Sequence, residues 1–117
     1  MKINNIILKE KTIKVLDFPP DSKMNIETSR NNEMPTEVTD DYFSCTISFE
    51  IKLTDSDKKE LVYIKISNII IVEKENEEYK KNIAESIFNS LKSMYLKTAN
   101  NLLKEADYPP LPFNVDI

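Results

Sequence analysis

The chain has 117 residues with a net charge of −4, no glycine, no histidine, no tryptophan and one cysteine. Without glycine there is no phosphate-cradling loop, dinucleotide fingerprint or nucleophile elbow. Without histidine the commonest general base and metal ligand are gone, and Cys45 alone closes no intrachain disulfide. An acidic balance with one arginine, Arg30, argues against a nucleic-acid face, so the composition points to a non-enzymatic protein that needs no cofactor and works through its surfaces.

In chain order, residues 3–16 are rich in Ile, Val and Lys and predict a first strand whose alternation slips near Lys9 to Lys11. Before the slip Ile6 and Leu8 share one face; after it Ile13 and Val15 are expected on the other, with a bulge between. Asp17-Phe18-Pro19-Pro20 ends the strand. Residues 23–31 carry a weak alternation (Met24, Ile26, Thr28) and predict a short second strand, followed by a polar connection with Pro35 and Asp40-Asp41. Over 42–53, Phe43, Cys45, Ile47, Phe49, Ile51 and Leu53 alternate with polar residues, the pattern of an antiparallel strand with one wet face. Residues 54–59 supply turn chemistry for a longer type I loop. Residues 60–72 return as a strand that ends in Ile69-Ile70-Ile71-Val72, apolar on both faces.

Residues 78–106 have helical periodicity. Ile83, Ala84, Ile87, Phe88, Leu91, Met94, Tyr95, Thr98, Ala99 and Leu102 span an arc of about 160°, and Leu96 and Leu103 lie outside it. A helix of about 40 Å is long for a small globular domain, so leftover apolar surface is expected to meet another subunit. Tyr108-Pro109-Pro110-Leu111-Pro112-Phe113-Asn114 then leaves in extended form over 107–117. The reading is one domain over 1–117 of class α+β, a four-stranded antiparallel meander sheet packed against one long amphipathic helix.

Three segments carry a family resemblance: Asp40-Asp41-Tyr42-Phe43, Glu60-Leu61-Val62-Tyr63-Ile64-Lys65-Ile66, and Asn82-Ile83-Ala84-Glu85-Ser86-Ile87-Phe88 with the closing Tyr108–Asn114 motif. Together with the element order they resemble the SecB family of protein-export chaperones and its relatives in toxin–antitoxin systems. The resemblance implies a homodimer or homotetramer, with the first strand and the long helix at subunit contacts. Its clients are unfolded or partly folded polypeptides, among them an antitoxin in one branch, and its docking partner is the export ATPase. Family members continue into a second helix; this sequence ends at Ile117, inside the lid-like segment.

Residue by residue, Phe18, Met24 and Met34 are candidates to line a polypeptide-binding groove, since aromatics and flexible thioethers suit promiscuous apolar contact; equally, they pin the loop to the core. Tyr108, Leu111 and Phe113 either form its other wall or cap the chain's own sheet. Ile6, Leu8, Met94, Leu96 and Leu103 are the expected oligomer-interface residues. Cys45 is expected to be a buried, inert thiol, Asp55-Ser56-Asp57 a solvated hairpin rather than a calcium loop, and Asp40-Asp41 turn chemistry. No apolar run is long enough for a membrane helix and no leader is evident, so the expected location is the cytoplasm without membrane insertion. The alternative function is a small phage or mobile-element protein that inhibits or adapts one folded protein partner.

Overall fold

The computed structural model describes residues 2–21, 23–39, 41–73, 83–112 and 115, with the side chains of 34–38 and 83–84 left aside. Four strands, β1 (Lys2–Val15), β2 (Asn25–Val38), β3 (Tyr42–Thr54) and β4 (Glu60–Glu73), precede one helix, α1 (Ile83–Glu105). All pairings are antiparallel, and the order across the sheet is β1-β4-β3-β2. The meander runs through β2, β3 and β4, while β1 closes against β4. The chemistry fits this order. The two most apolar strands, β3 and β4, sit in the middle, where each has two neighbours. The more polar β2 takes an edge and carries Pro35 at its irregularity between Glu33 and Glu37. That is how β2 extends to Val38, well beyond the strand expected over 23–31.

The helix-side face of the sheet collects Phe43, Cys45, Ile47, Phe49, Ile51 and Leu53 from β3, all buried. Opposite them on β4 lie Val72, Ile70, Asn68, Ile66, Ile64 and Val62. Against this surface α1 places Ile87, Phe88, Leu91, Tyr95, Ala99 and Leu102. Phe49, Phe88 and Tyr95 form an aromatic cluster with ring centroids 5.6–5.9 Å apart. Glu85 in the first turn of α1 and Lys104 in the last complement its dipole.

The slip in β1 is a bulge at Lys9, where the register with β4 shifts between Leu8 and Glu10. Its effect is the opposite of the one expected from the sequence. Ile6, Leu8, Ile13 and Val15 oppose Ile70, Asn68, Ile64 and Val62, which all lie on the helix-side face. The extra residue thus restores the phase of the apolar set instead of sending Ile13 and Val15 to the other side. Asn68 reaches across at the bulge, its side-chain amide donating to the Ile7 carbonyl at 3.4 Å.

With no glycine available, two positions in the left-handed region among the described residues are filled by other residues. Lys58 (φ 65°) follows the type I turn that closes the β3–β4 hairpin, in which the Lys58 amide donates to the Asp55 carbonyl at 3.1 Å. Asp107 (φ 58°) ends α1. There the Tyr108 amide donates to the Leu103 carbonyl (2.9 Å) and the Asp107 amide to the Lys104 carbonyl (3.1 Å), the paired bonds of a Schellman cap.

The overall dimensions are 53 × 21 × 20 Å, with a radius of gyration of 16.2 Å. Strands of 13 and 14 residues explain this elongation. At about 3.3 Å per residue they span about 43–46 Å, more than the roughly 35 Å of the 23-residue helix, so the sheet is long enough to lie along all of α1.

Candidate polypeptide-binding surface

Both sets of expected surface residues divide in the structure. Among the interface candidates, Leu103 is 0% exposed and belongs to the chain's own core, which removes it from any subunit contact. The reversal at Asp107 folds Tyr108 and Leu111 back, both buried. The Leu111 amide donates to the Asn100 side-chain oxygen at 2.8 Å, so the tail lies along the side of α1 that carries Leu103. Met94 and Leu96 are half-buried against the same core. Ile6 and Leu8 remain exposed on the edge strand β1, Leu8 at 56%.

Among the groove candidates, Tyr108 and Leu111 are buried in the chain's own core cluster. Met24 is half-buried against that core. Phe18 stands out from the surface at 86% exposure, beside exposed Val15 and Leu16. Met34 falls within β2 among the side chains left aside, and Phe113 lies outside the described residues. Asp40 does as well; beside it, the Tyr42 amide donates to the Thr39 hydroxyl oxygen at 3.0 Å and closes the β2–β3 turn.

The β1–β2 connection has to cross the end of the sheet, because its two strands occupy opposite edges. It is tied to the β3–β4 hairpin on the way. Lys59 Nζ donates to Asp17 Oδ2 at 2.6 Å, and the Asn25 side-chain amide donates to the Asp55 carbonyl at 3.3 Å. The Asp17 Oδ1 accepts the Phe18 amide at 2.8 Å, and the Asp17 carbonyl accepts the Tyr108 hydroxyl at 2.5 Å. The hydrogen bond from Lys59, then that from the Phe18 amide, holds the Asp17 carboxyl below its ordinary range, and Asp17 raises Lys59 in turn. Burial, and then the nearby Asp17, pushes the Tyr108 phenol up.

Away from these features, two of the concavities among the described residues bear on binding, and the sequence pattern signalled neither. One, of about 330 Å³, opens at the end of the sheet and is lined by Asn4, Thr39, Tyr42, Phe43, Ser44 and Ile71. It adjoins the apolar end of the outer face, where Ile7 and Ile69 sit opposite each other beside Ile71. The rest of that face is polar. Lys65 pairs with Glu10 at 3.6 Å, Ser48 and Ser67 share a hydrogen bond at 2.9 Å, and burial together with the Glu50 carboxylate pushes the Tyr63 phenol up to about 12. The second concavity, of about 230 Å³, lies between β2 and the start of α1, lined by Thr28, Ser29, Arg30, Phe49, Glu85 and Phe88. There Arg30 stacks 4.3 Å above the Phe88 ring and pairs with the Glu85 carboxylate. Cross-strand position is the signal that locates it: Arg30 opposes Phe49, which faces the helix.

Cys45 is buried, and burial pushes its thiol up to about 11, so it is not a reactive group. Among the described residues no cluster of three or more His, Cys, Asp or Glu side chains is placed to hold a metal ion, and no helix is long and apolar enough to cross a membrane.

No protein-family model and no curated protein sequence matches the chain. Solved structures do. A SecB-like chaperone of Mycobacterium tuberculosis, in complex with a ChAD peptide from the HigA1 antitoxin, superposes with a TM-score of 0.72 at 14% identity. The match covers 99% of this chain and 90% of that one. The chain has a SecB-like fold. A protein of unknown function from Streptococcus agalactiae is similar to this SecB-like chain at a TM-score of 0.52 and 11% identity, over 97% of this chain and 95% of that one.

Proposed function

We propose that this SecB-like chain is a chaperone or protein-binding module that holds polypeptide segments without catalysis. The observation that carries the reading is the likeness, over 99% of the chain, to a SecB-like chaperone whose structure contains an antitoxin peptide. The surface is consistent with it. Exposed apolar side chains gather along one edge strand and its end, at Ile6, Ile7, Leu8, Val15, Leu16 and Phe18, with Tyr42 beside the larger concavity. In the proposal the part around Phe18 holds extended apolar segments by burial, and the strand edge at Ile6 and Leu8 is kept for another copy of the chain.

In this proposal Phe18 and the larger concavity contact the client, and Ile6 and Leu8 contribute to a contact between copies of the chain. Met24, half-buried against the core at the end of the same connection, adds to the client contact in the proposal. An antitoxin is the client that the likeness favours, and the cytoplasm is the proposed location, because the one cysteine is free and buried.

The test is suppression of aggregation of a chemically unfolded client at stoichiometric amounts, with binding of labelled antitoxin-type peptides followed by anisotropy. Suppression that falls in Phe18→Ser supports the reading. No suppression and no peptide binding overturns it, and selective binding of one folded protein would favour an inhibitor instead. Solution mass measures the assembly separately.

A further inference from the structure

At the hairpin end of the sheet Asp17, on the β1–β2 connection, bonds to two other parts of the chain, the β3–β4 hairpin and the segment that follows α1. Its carboxylate takes the Lys59 ammonium of the β3–β4 hairpin at 2.6 Å through Oδ2 and the Phe18 amide at 2.8 Å through Oδ1. Its carbonyl takes the hydroxyl of Tyr108, on the segment that follows α1, at 2.5 Å. Next to it, the Leu16 amide donates to the Leu61 carbonyl at 2.8 Å and continues the β1–β4 ladder. The post-helix segment has two anchors besides Tyr108 itself: the Leu111 amide on Asn100, and burial of Leu111.

We infer that Asp17 ties the β1–β2 connection and the post-helix segment into one cooperative unit, so that loosening either one loosens the other. The physical reason is the geometry of the shared group. With Phe18 at 86% exposure and Leu16 at 57%, the connection buries little surface of its own near this point and depends on polar ties for its position. Tyr108 is buried and its hydroxyl has the Asp17 carbonyl as its partner, a bond that is lost if either segment moves without the other. The two segments therefore open together or bear the cost of an unmade bond. For the binding reading above, on which this consequence alone rests, contact at Phe18 and release of the Tyr108–Pro112 segment become linked, each altering the equilibrium of the other by the same factor.

Amide hydrogen exchange on the full chain, with no client present, tests the tie. Tyr108→Phe removes the hydroxyl while keeping the ring, and Lys59→Met removes the ammonium from the other side. We expect Tyr108→Phe to speed exchange at Leu16 and Phe18 about three- to tenfold, and Lys59→Met to do the same at Tyr108 and Leu111. Phe49 and Ile66 in the central strands serve as controls and should not change. Acceleration confined to the mutated segment, or an equal acceleration of the central strands, overturns the inference. Because no client takes part, a negative binding experiment leaves this result standing, and the reverse also holds.

Discussion

Tyr108 folds back over Leu103, its amide bonded to the Leu103 carbonyl at 2.9 Å, and both side chains are buried. A leucine that helical periodicity places on the polar side of α1 is thereby covered by the chain's own tail. Leu103→Ala should cost about 2–5 kcal/mol, as for a core leucine, rather than the few tenths typical of a surface position. Urea unfolding measures it; a loss below about 1 kcal/mol would mean that the tail does not cover this site.

Tyr95 is the counter-example, a buried residue whose polar end is a liability. Its ring packs with Phe49 and Phe88, but its hydroxyl has no hydrogen-bond partner among the described residues. Burial accordingly pushes its phenol up to about 12. Removing the hydroxyl leaves the packing intact, so Tyr95→Phe should be neutral or stabilise by about 1 kcal/mol. A clear loss of thermal stability in Tyr95→Phe would show that the hydroxyl has a partner.

The two left-handed positions offer stabilising substitutions that a glycine-free sequence leaves unused. Lys58→Gly relieves a strain of about 1–2 kcal/mol, less the roughly 0.5–1 kcal/mol of extra chain entropy. Asp107→Gly should gain less, because aspartate tolerates this conformation better than lysine. Melting temperatures should rank Lys58→Gly above Asp107→Gly, with Lys58→Ala giving no gain.

Arg30 holds the start of α1 mainly through its stacking on Phe88, since its ion pair with Glu85 is partly open to solvent. Arg30→Ala should cost about 1 kcal/mol and Glu85→Gln at most about half of that. Equal losses in the two variants would assign the effect to the ion pair instead.

The buried thiol sets a limit at high pH. An unfolded cysteine ionises near 9.0, whereas burial raises Cys45 to about 11 in the folded chain. The folded state thus binds the proton more tightly. That contribution is fully present below about pH 8 and is lost as the pH rises through 11. Denaturant midpoints should fall over this interval, and less steeply in Cys45→Ala, even though that variant is weaker at pH 7. At pH 8 a thiol reagent should label the native protein no faster than it opens.

Much of the fold could be read from residue spacing because β3 and β4 alternate so regularly. Phe43 through Leu53 and Val62 through Val72 specify which side faces the helix, wherever the strands lie. The apolar arc of α1 identified Ile87, Phe88, Leu91, Tyr95, Ala99 and Leu102 in the same way. The candidate surface was less legible. The sequence marks Phe18 as an aromatic on the first long connection, but only the crossing of that connection shows how Asp17 holds it. Tyr108 and Leu111 carry the same composition whether they wall a groove or seal a core, and only the tertiary structure shows them buried against the chain's own core.

By itself the sequence determined a glycine-free and histidine-free α+β chain, with two alternating strands and one amphipathic helix; those properties are local, fixed by residue type and period. The tertiary structure decided what depends on neighbours distant in sequence. It placed β1 beside β4 rather than β2, used the Lys9 bulge to bring Ile13 and Val15 back to the face of Ile6 and Leu8, and covered Leu103 with the chain's own tail. In each case a local pattern shows that a side chain is apolar, and only long-range packing settles which surface removes it from water.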